Sequence, residues 1–170
     1  KGSADEVLQI GDCPSPAANE GEVRVKLHYS GINPSDVKMR AGLSLGGMDM
    51  PYPEVVPHSD GAGVIESIGS GVSGFAIGSR VYVFNGGFQR QYGTAAEMIT
   101  LPAEQVIALP DSASFIHGAC LGIPVMTAVH VMTRTSSVAG KNVLVSSGGS
   151  CHNRLADKVR RILSDHQLFI

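Results

Sequence analysis

The segment KNVLVSSGGSCHNRLADKV, Lys141 to Val159, sets an apolar strand, the pair Gly148 and Gly149 and a helical pattern in the order that opens a dinucleotide-binding unit. Glycines at such a turn let a pyrophosphate approach the backbone N–H groups. Far upstream, GINPSD carries the carboxamide of Asn33 and the carboxylate of Asp36. A carboxamide donates and accepts at once, although an Asn before Pro34 equally suits an Asx-turn. Lys38 either holds an anionic or carbonyl oxygen or is a solvated surface lysine. Tyr52, in MPYPEV, offers a flat wall and a hydroxyl donor, or packs over a β body. His58 reads as a turn or surface histidine, and Asp60 as a turn carboxylate that caps backbone donors. The Thr127 hydroxyl, in GIPVMTA, either faces a ligand or bonds back into its own helix.

These groups need a frame. EVRVKLHYS, Glu22 to Ser30, alternates with Val23, Val25, Leu27 and Tyr29 on one face and charged or polar residues on the other, which predicts a half-buried strand. Further β signals stand at 63–68, 80–84, 92–100 and 105–109, short and punctuated by glycine as in a barrel or sandwich. The long connection Gly31 to Met50, with Pro34, Gly42, Gly46 and Gly47, is the kind of loop that more often serves function than idles. The period changes after residue 110. Ser114 suits a helix cap before FIHGACLG, and Pro124 suits the first turn of a helix through VMTAVHVMTRT. After Gly149, Leu155, Val159, Ile162 and Leu163 form one face of an amphipathic helix.

The chain of 170 residues is 43% hydrophobic and carries a net charge of -2. It lacks the basic field that attracts nucleic acid or anionic lipid, so neither nucleic acid nor membrane is an expected partner. No stretch reaches the roughly 18 apolar residues of a membrane span, and the opening KGSADEVLQIGD lacks the apolar core of a signal peptide. A cytoplasmic location is expected. Cys13, Cys120 and Cys151, odd in number and far apart, suit reduced thiols.

Five segments, in order, resemble the medium-chain dehydrogenase/reductase superfamily: EVRVKLHYSGINPSDVKMRAG, PEVVPHSDGAGVIESIGSGV, IGSRVYV, ALPDSASFIHGACLGIPVMTAVHVM and GKNVLVSSGG, together nearly all of residues 20–149. The resemblance implies a mainly β fold: a chaperonin-10-like (GroES-like) barrel at 1–122 as catalytic domain, then C-terminal helices and the first βα piece of a Rossmann-type nucleotide-binding segment at 123–170. Within the superfamily, zinc-dependent alcohol dehydrogenases would carry cysteine where Asn33 stands and histidine where Ser59 stands, and their four-cysteine lobe is missing. His58 falls one residue early, where the family pattern has glycine. The chain therefore resembles the zinc-free quinone oxidoreductases of the zeta-crystallin type. That implies NADPH as cofactor, a quinone or enone as acceptor and no metal, with Asn33 and Tyr52 as catalytic residues. Asn33, Thr127, Gly148 and Gly149 are then the cofactor contacts. Lys38 departs from the tyrosine that relatives of this type tend to carry.

Past Gly149 the resemblance fades. Ser150, Cys151 and His152 do not continue the family's glycine run, and the helix that follows carries six charges between Arg154 and Asp165. A doubly wound domain needs on the order of 120 residues, against 31 from Gly140 to Ile170. The expectation is a truncated, alternatively spliced or frame-altered product of a quinone-oxidoreductase-type gene. Its function is then the catalytic-domain portion of that enzyme, inactive alone if truncation prevents cofactor binding. The alternative is a non-enzymatic barrel module acting through protein association, including a homo-oligomer, because uncovered apolar surface favours association.

Overall fold

A computed structural model describes residues 1–14, 17–43 and 52–134. The chain divides into two compact units, Lys1–Gly122 and Ile123–Ile170. The first is built on β1 (Glu22–Gly31), β2 (Asp60–Ile68), β3 (Arg80–Val83), β4 (Met98–Pro102) and β5 (Val106–Ala108), with short helices α1 (Ala4–Val7), α2 (Pro34–Arg40) and α3 (Phe115–Gly118). Helix α4 (Gly122–Thr133) begins at the last residue of this unit and provides the described part of the second. The expected strand at Asn142 to Ser146, the glycine pair and the amphipathic helix after it lie outside the described residues.

Among the described residues the ladders are antiparallel, in the order β4-β1-β2-β3-β5. The outermost strands, β4 and β5, are joined by only the 3-10 turn Ala103–Gln105. A flat sheet would hold those edges about 19 Å apart at about 4.8 Å per strand, whereas the linker reaches at most about 14 Å even fully extended. The sheet must curl to bring its edges together. The curl encloses Val23 and Val25 of β1, Ile65 of β2, Val81 and Val83 of β3, Ile99 and Leu101 of β4 and Val106 of β5, each at most 5% exposed. β1, β3 and β4 contribute alternate residues, the period-2 pattern of a half-buried sheet, and β2 and β5 contribute one each.

Two expectations are corrected. Tyr29 does not share the inward face of Val23 and Val25: it is 49% exposed. The cause is a bulge. Leu27 pairs with Gly63 and Tyr29 with Ala62, so His28 is an extra residue with no partner of its own and the alternation reverses after it. The strand expected over 92–100 begins only at Met98, because Tyr92 forms an isolated parallel bridge with Val56 and the backbone N–H groups of Gly93, Thr94 and Ala95 donate to the Val56, His58 and Pro57 carbonyl oxygens of a loop.

The bulge also anchors α3. The His28 ring stacks on Phe115 at 4.5 Å between centroids, and the Arg80 guanidinium lies over the same Phe115 ring at 4.1 Å. Ser114 caps this helix by accepting from the His117 N–H, as its sequence position predicts. The helix thereby comes close beneath the end of β1, where a side chain on Gly31 would run into the Ala119 carbonyl oxygen.

Candidate active site

Asn33 lies two residues beyond β1 and is the N-cap of α2, with Pro34 in the first turn. Its backbone N–H donates to Asp36 Oδ2 at 2.7 Å. Its side-chain Nδ2 donates to Asp60 Oδ2 at 2.9 Å. Asn33, Asp36 and Asp60 are all buried, Asp60 completely. The Asp60 carboxylate also fills the space beside Gly122, where any side chain would collide with its Oδ1. Glycine at this position is what lets the first residue of α4 approach the acid.

Burial pushes the Asp36 carboxyl above its ordinary value. The Asn33 backbone N–H and the charge of nearby His58 pull the other way without prevailing.

A second set of polar groups adjoins the first. Once the bulge at His28 has reversed the strand's alternation, Ser30 turns toward Thr94 and His58 rather than away from them. Ser30 Oγ lies 3.0 Å from Thr94 Oγ1 and 3.0 Å from His58 Nδ1, and Thr94 Oγ1 donates to the Asp60 backbone oxygen at 2.7 Å. Thr94 is fully buried. His58 sits at a φ of +73°, a conformation that favours glycine, so this side chain is held in the left-handed region by its surroundings.

The remaining predicted residues are not all brought to this cluster. Tyr52 is half-buried, and no described hydrogen bond joins it to Asn33. Lys38 is exposed in the last turn of α2. Thr127 is exposed in α4, in the second unit. Gly148 and Gly149 lie outside the described residues. An open groove of about 750 Å³ is lined by Gln9–Pro14, Leu27–Ser30, Val55–Pro57 and Thr94–Met98. Ser30 and Thr94 are among its lining residues but Asn33, Asp36 and Asp60 are not, so this groove is not where the buried carboxamide and carboxylates meet.

Sequence reasoning does not join Ser30, His58 and Thr94, which are 28 and 64 residues apart in their hydrogen bonds. The one signal is His58 itself, a side chain where the family pattern has glycine. Among the described residues, no group of three or more His, Cys, Asp or Glu could hold a metal ion. No helix among them is long and apolar enough to cross a membrane. The Cys13 and Cys120 thiols are exposed.

Residues 19–111 match the model of the alcohol dehydrogenase GroES-like domain. The chain is 38% identical over 151 residues to the quinone oxidoreductase of Rattus norvegicus, an alignment that covers 85% of this chain and 43% of that protein. Among solved structures it is similar to an alcohol dehydrogenase superfamily protein from Novosphingobium aromaticivorans, with a TM-score of 0.86 and 25% identity over 96% of this chain and 49% of that one. It is also similar to a mycobacterial protein whose structure is complexed with NADPH, with a TM-score of 0.75 and 25% identity over 96% of this chain and 48% of the other. The chain thus spans less than half the length of the rat relative.

Proposed function

Because the chain belongs to the alcohol dehydrogenase GroES-like domain family of the medium-chain dehydrogenase/reductases, we propose that it is the catalytic-domain portion of a zinc-free, NADPH-dependent quinone oxidoreductase that transfers hydride to a quinone or enone. Residues 1–122 are the catalytic domain on this reading, and 123–170 the start of the nucleotide-binding segment. The location is cytoplasmic.

The observation that carries it is the Asn33–Asp60 hydrogen bond. A zinc alcohol dehydrogenase would use the position of Asn33 for a metal-binding thiolate. Here the side chain is a carboxamide that one buried carboxylate holds in place. Asp60 takes one of its two amide hydrogens, and the second has no described partner. A buried, oriented donor of this kind fits a dihydronicotinamide or the carbonyl oxygen of an acceptor, and fits a metal ion poorly.

NADPH, when bound, supplies the hydride; the protein orients donor and acceptor. Asn33 would hold the nicotinamide end together with Thr127, Gly148 and Gly149 would face the pyrophosphate, and Tyr52 would line the acceptor. Asp36 keeps the Asn33 backbone fixed by accepting its N–H, so that the carboxamide enters with little freedom left to lose.

The test is NADPH binding followed by turnover. Mixing the protein with NADPH should change the cofactor's fluorescence saturably, and adding a quinone or an enone should consume NADPH. Unchanged fluorescence at saturating cofactor sinks the enzymatic reading of this chain.

A further inference from the structure

The hydroxyl chain around His58 has only one consistent arrangement of protons. Thr94 has a single hydroxyl hydrogen and gives it to the Asp60 backbone oxygen. Ser30 Oγ, 3.0 Å from Thr94 Oγ1, must then donate its own hydrogen to Thr94. With that hydrogen used, the 3.0 Å contact between Ser30 Oγ and His58 Nδ1 is a hydrogen bond only if Nδ1 carries a proton. The neutral ring is therefore the Nδ1–H tautomer, and its lone pair is on Nε2. Nε2 has no hydrogen-bond partner among the described residues.

We propose that His58 is the proton donor of this site, with Nε2 the atom that gives up and regains the proton. The proposal rests on the oxidoreductase reading above. Three observations converge on it. A histidine replaces the glycine that a φ of +73° favours, so the ring is kept there against backbone strain. Ser30 and Thr94, tied to the buried Asp60 backbone, lock its tautomer. The same chain of hydrogen bonds ends on Asp60, whose carboxylate holds the Asn33 amide, so the ring and the carboxamide are joined through one residue.

In the step, the hydride forms a new C–H bond at the acceptor's electrophilic carbon, and the displaced π electrons move to the carbonyl oxygen. That oxygen takes the proton from the Nε2–H of the imidazolium. The ring is left as the neutral Nδ1–H tautomer, the form that Ser30 already accepts from, so no side chain has to move. A proton from water restores Nε2–H. One hydride and one proton enter the acceptor, as a two-electron reduction requires. Of the groups around the ring, Ser30 and Thr94 are neutral and Asp60 reaches it through its backbone oxygen.

The experiment has two arms. Imidazole nitrogen NMR of the protein without cofactor should show the neutral His58 ring with Nδ1 protonated and Nε2 bare, and Ser30→Ala should release the ring into mixed tautomers. A wild-type ring with a bare Nδ1 overturns the proposal whatever the activity. In the second arm, His58→Gln and His58→Gly are assayed for NADPH oxidation. The kcat should fall about a hundredfold, and the decline of the wild-type rate with rising pH should disappear, while NADPH fluorescence titrations stay unchanged. Normal turnover and pH profile in both variants overturn the role of His58 and leave the oxidoreductase reading standing. A wild-type protein that neither binds nor oxidises NADPH overturns both.

Discussion

Asn33 and Asp60, the N-cap of α2 and the first residue of β2, meet through a 2.9 Å hydrogen bond from Nδ2 to Oδ2 in a region closed to solvent. One carboxylate thereby orients the carboxamide and fills the space beside Gly122. A single acid couples the candidate site to the first residue of α4.

Replacing Asp60 with Ala should lower stability by about 1–3 kcal/mol, because the Asn33 amide loses its acceptor without regaining water. Asp60→Asn, which keeps an acceptor oxygen of the same shape, should cost less. Urea unfolding reads the difference as a lower midpoint with an unchanged slope. Equal midpoints for Asp60→Ala and wild type would show that this bond contributes nothing.

Asp36 should give a pH signature of definite sign. Its folded-state pKa is raised above the ordinary 3.8 by burial. A raised carboxyl contributes its stability below the unfolded value and loses it as pH rises through the folded value. Relative to Asp36→Asn, wild type should therefore lose stability as pH climbs above 3.8 and then level off once the folded carboxyl has ionised. Unfolding free energies of the two proteins across that range provide the check; a difference of opposite slope contradicts the burial argument.

Gly122→Ala should destabilise by about 1–3 kcal/mol through overpacking, since its new methyl would collide with Asp60 Oδ1. Combining it with Asp60→Ala removes the obstruction. The double variant should be more stable than the sum of the two single effects predicts, and strict additivity in a double-mutant cycle would show that the two residues are not coupled.

Phe115 lies against the His28 ring and the Arg80 guanidinium. Phe115→Leu keeps much of the apolar volume and discards both ring contacts, so thermal unfolding should show a loss of about 1 kcal/mol or somewhat more. His28→Ala should lose part of the same amount, and adding it to Phe115→Leu should cost little extra.

Much of the frame is legible in the amino-acid sequence. Period-2 alternation places β1 within one residue of its end, because one buried face constrains every second side chain. The Ser114 cap and the proline in the first turn of α4 are readable for the same local reason: a helix start needs particular side chains at particular offsets. The segments that carry the family resemblance also single out Asn33.

The inward turn of Ser30 is not legible there. It depends on the extra residue at His28, and a bulge is a mismatch between two strands that neither strand's sequence records alone. The same holds for Tyr29, whose pattern position is inward and whose side chain is 49% exposed.

Local pattern, then, is enough for the strands, the helix caps and the family, since each depends on neighbours a few residues away. The Asn33–Asp60 bond, the Ser30–Thr94–His58 chain and the close approach of Gly122 to Asp60 join residues 27 to 64 positions apart. Their partners are chosen by strand register and by the curl that brings the sheet's edges together, and both become definite only once the chain has folded.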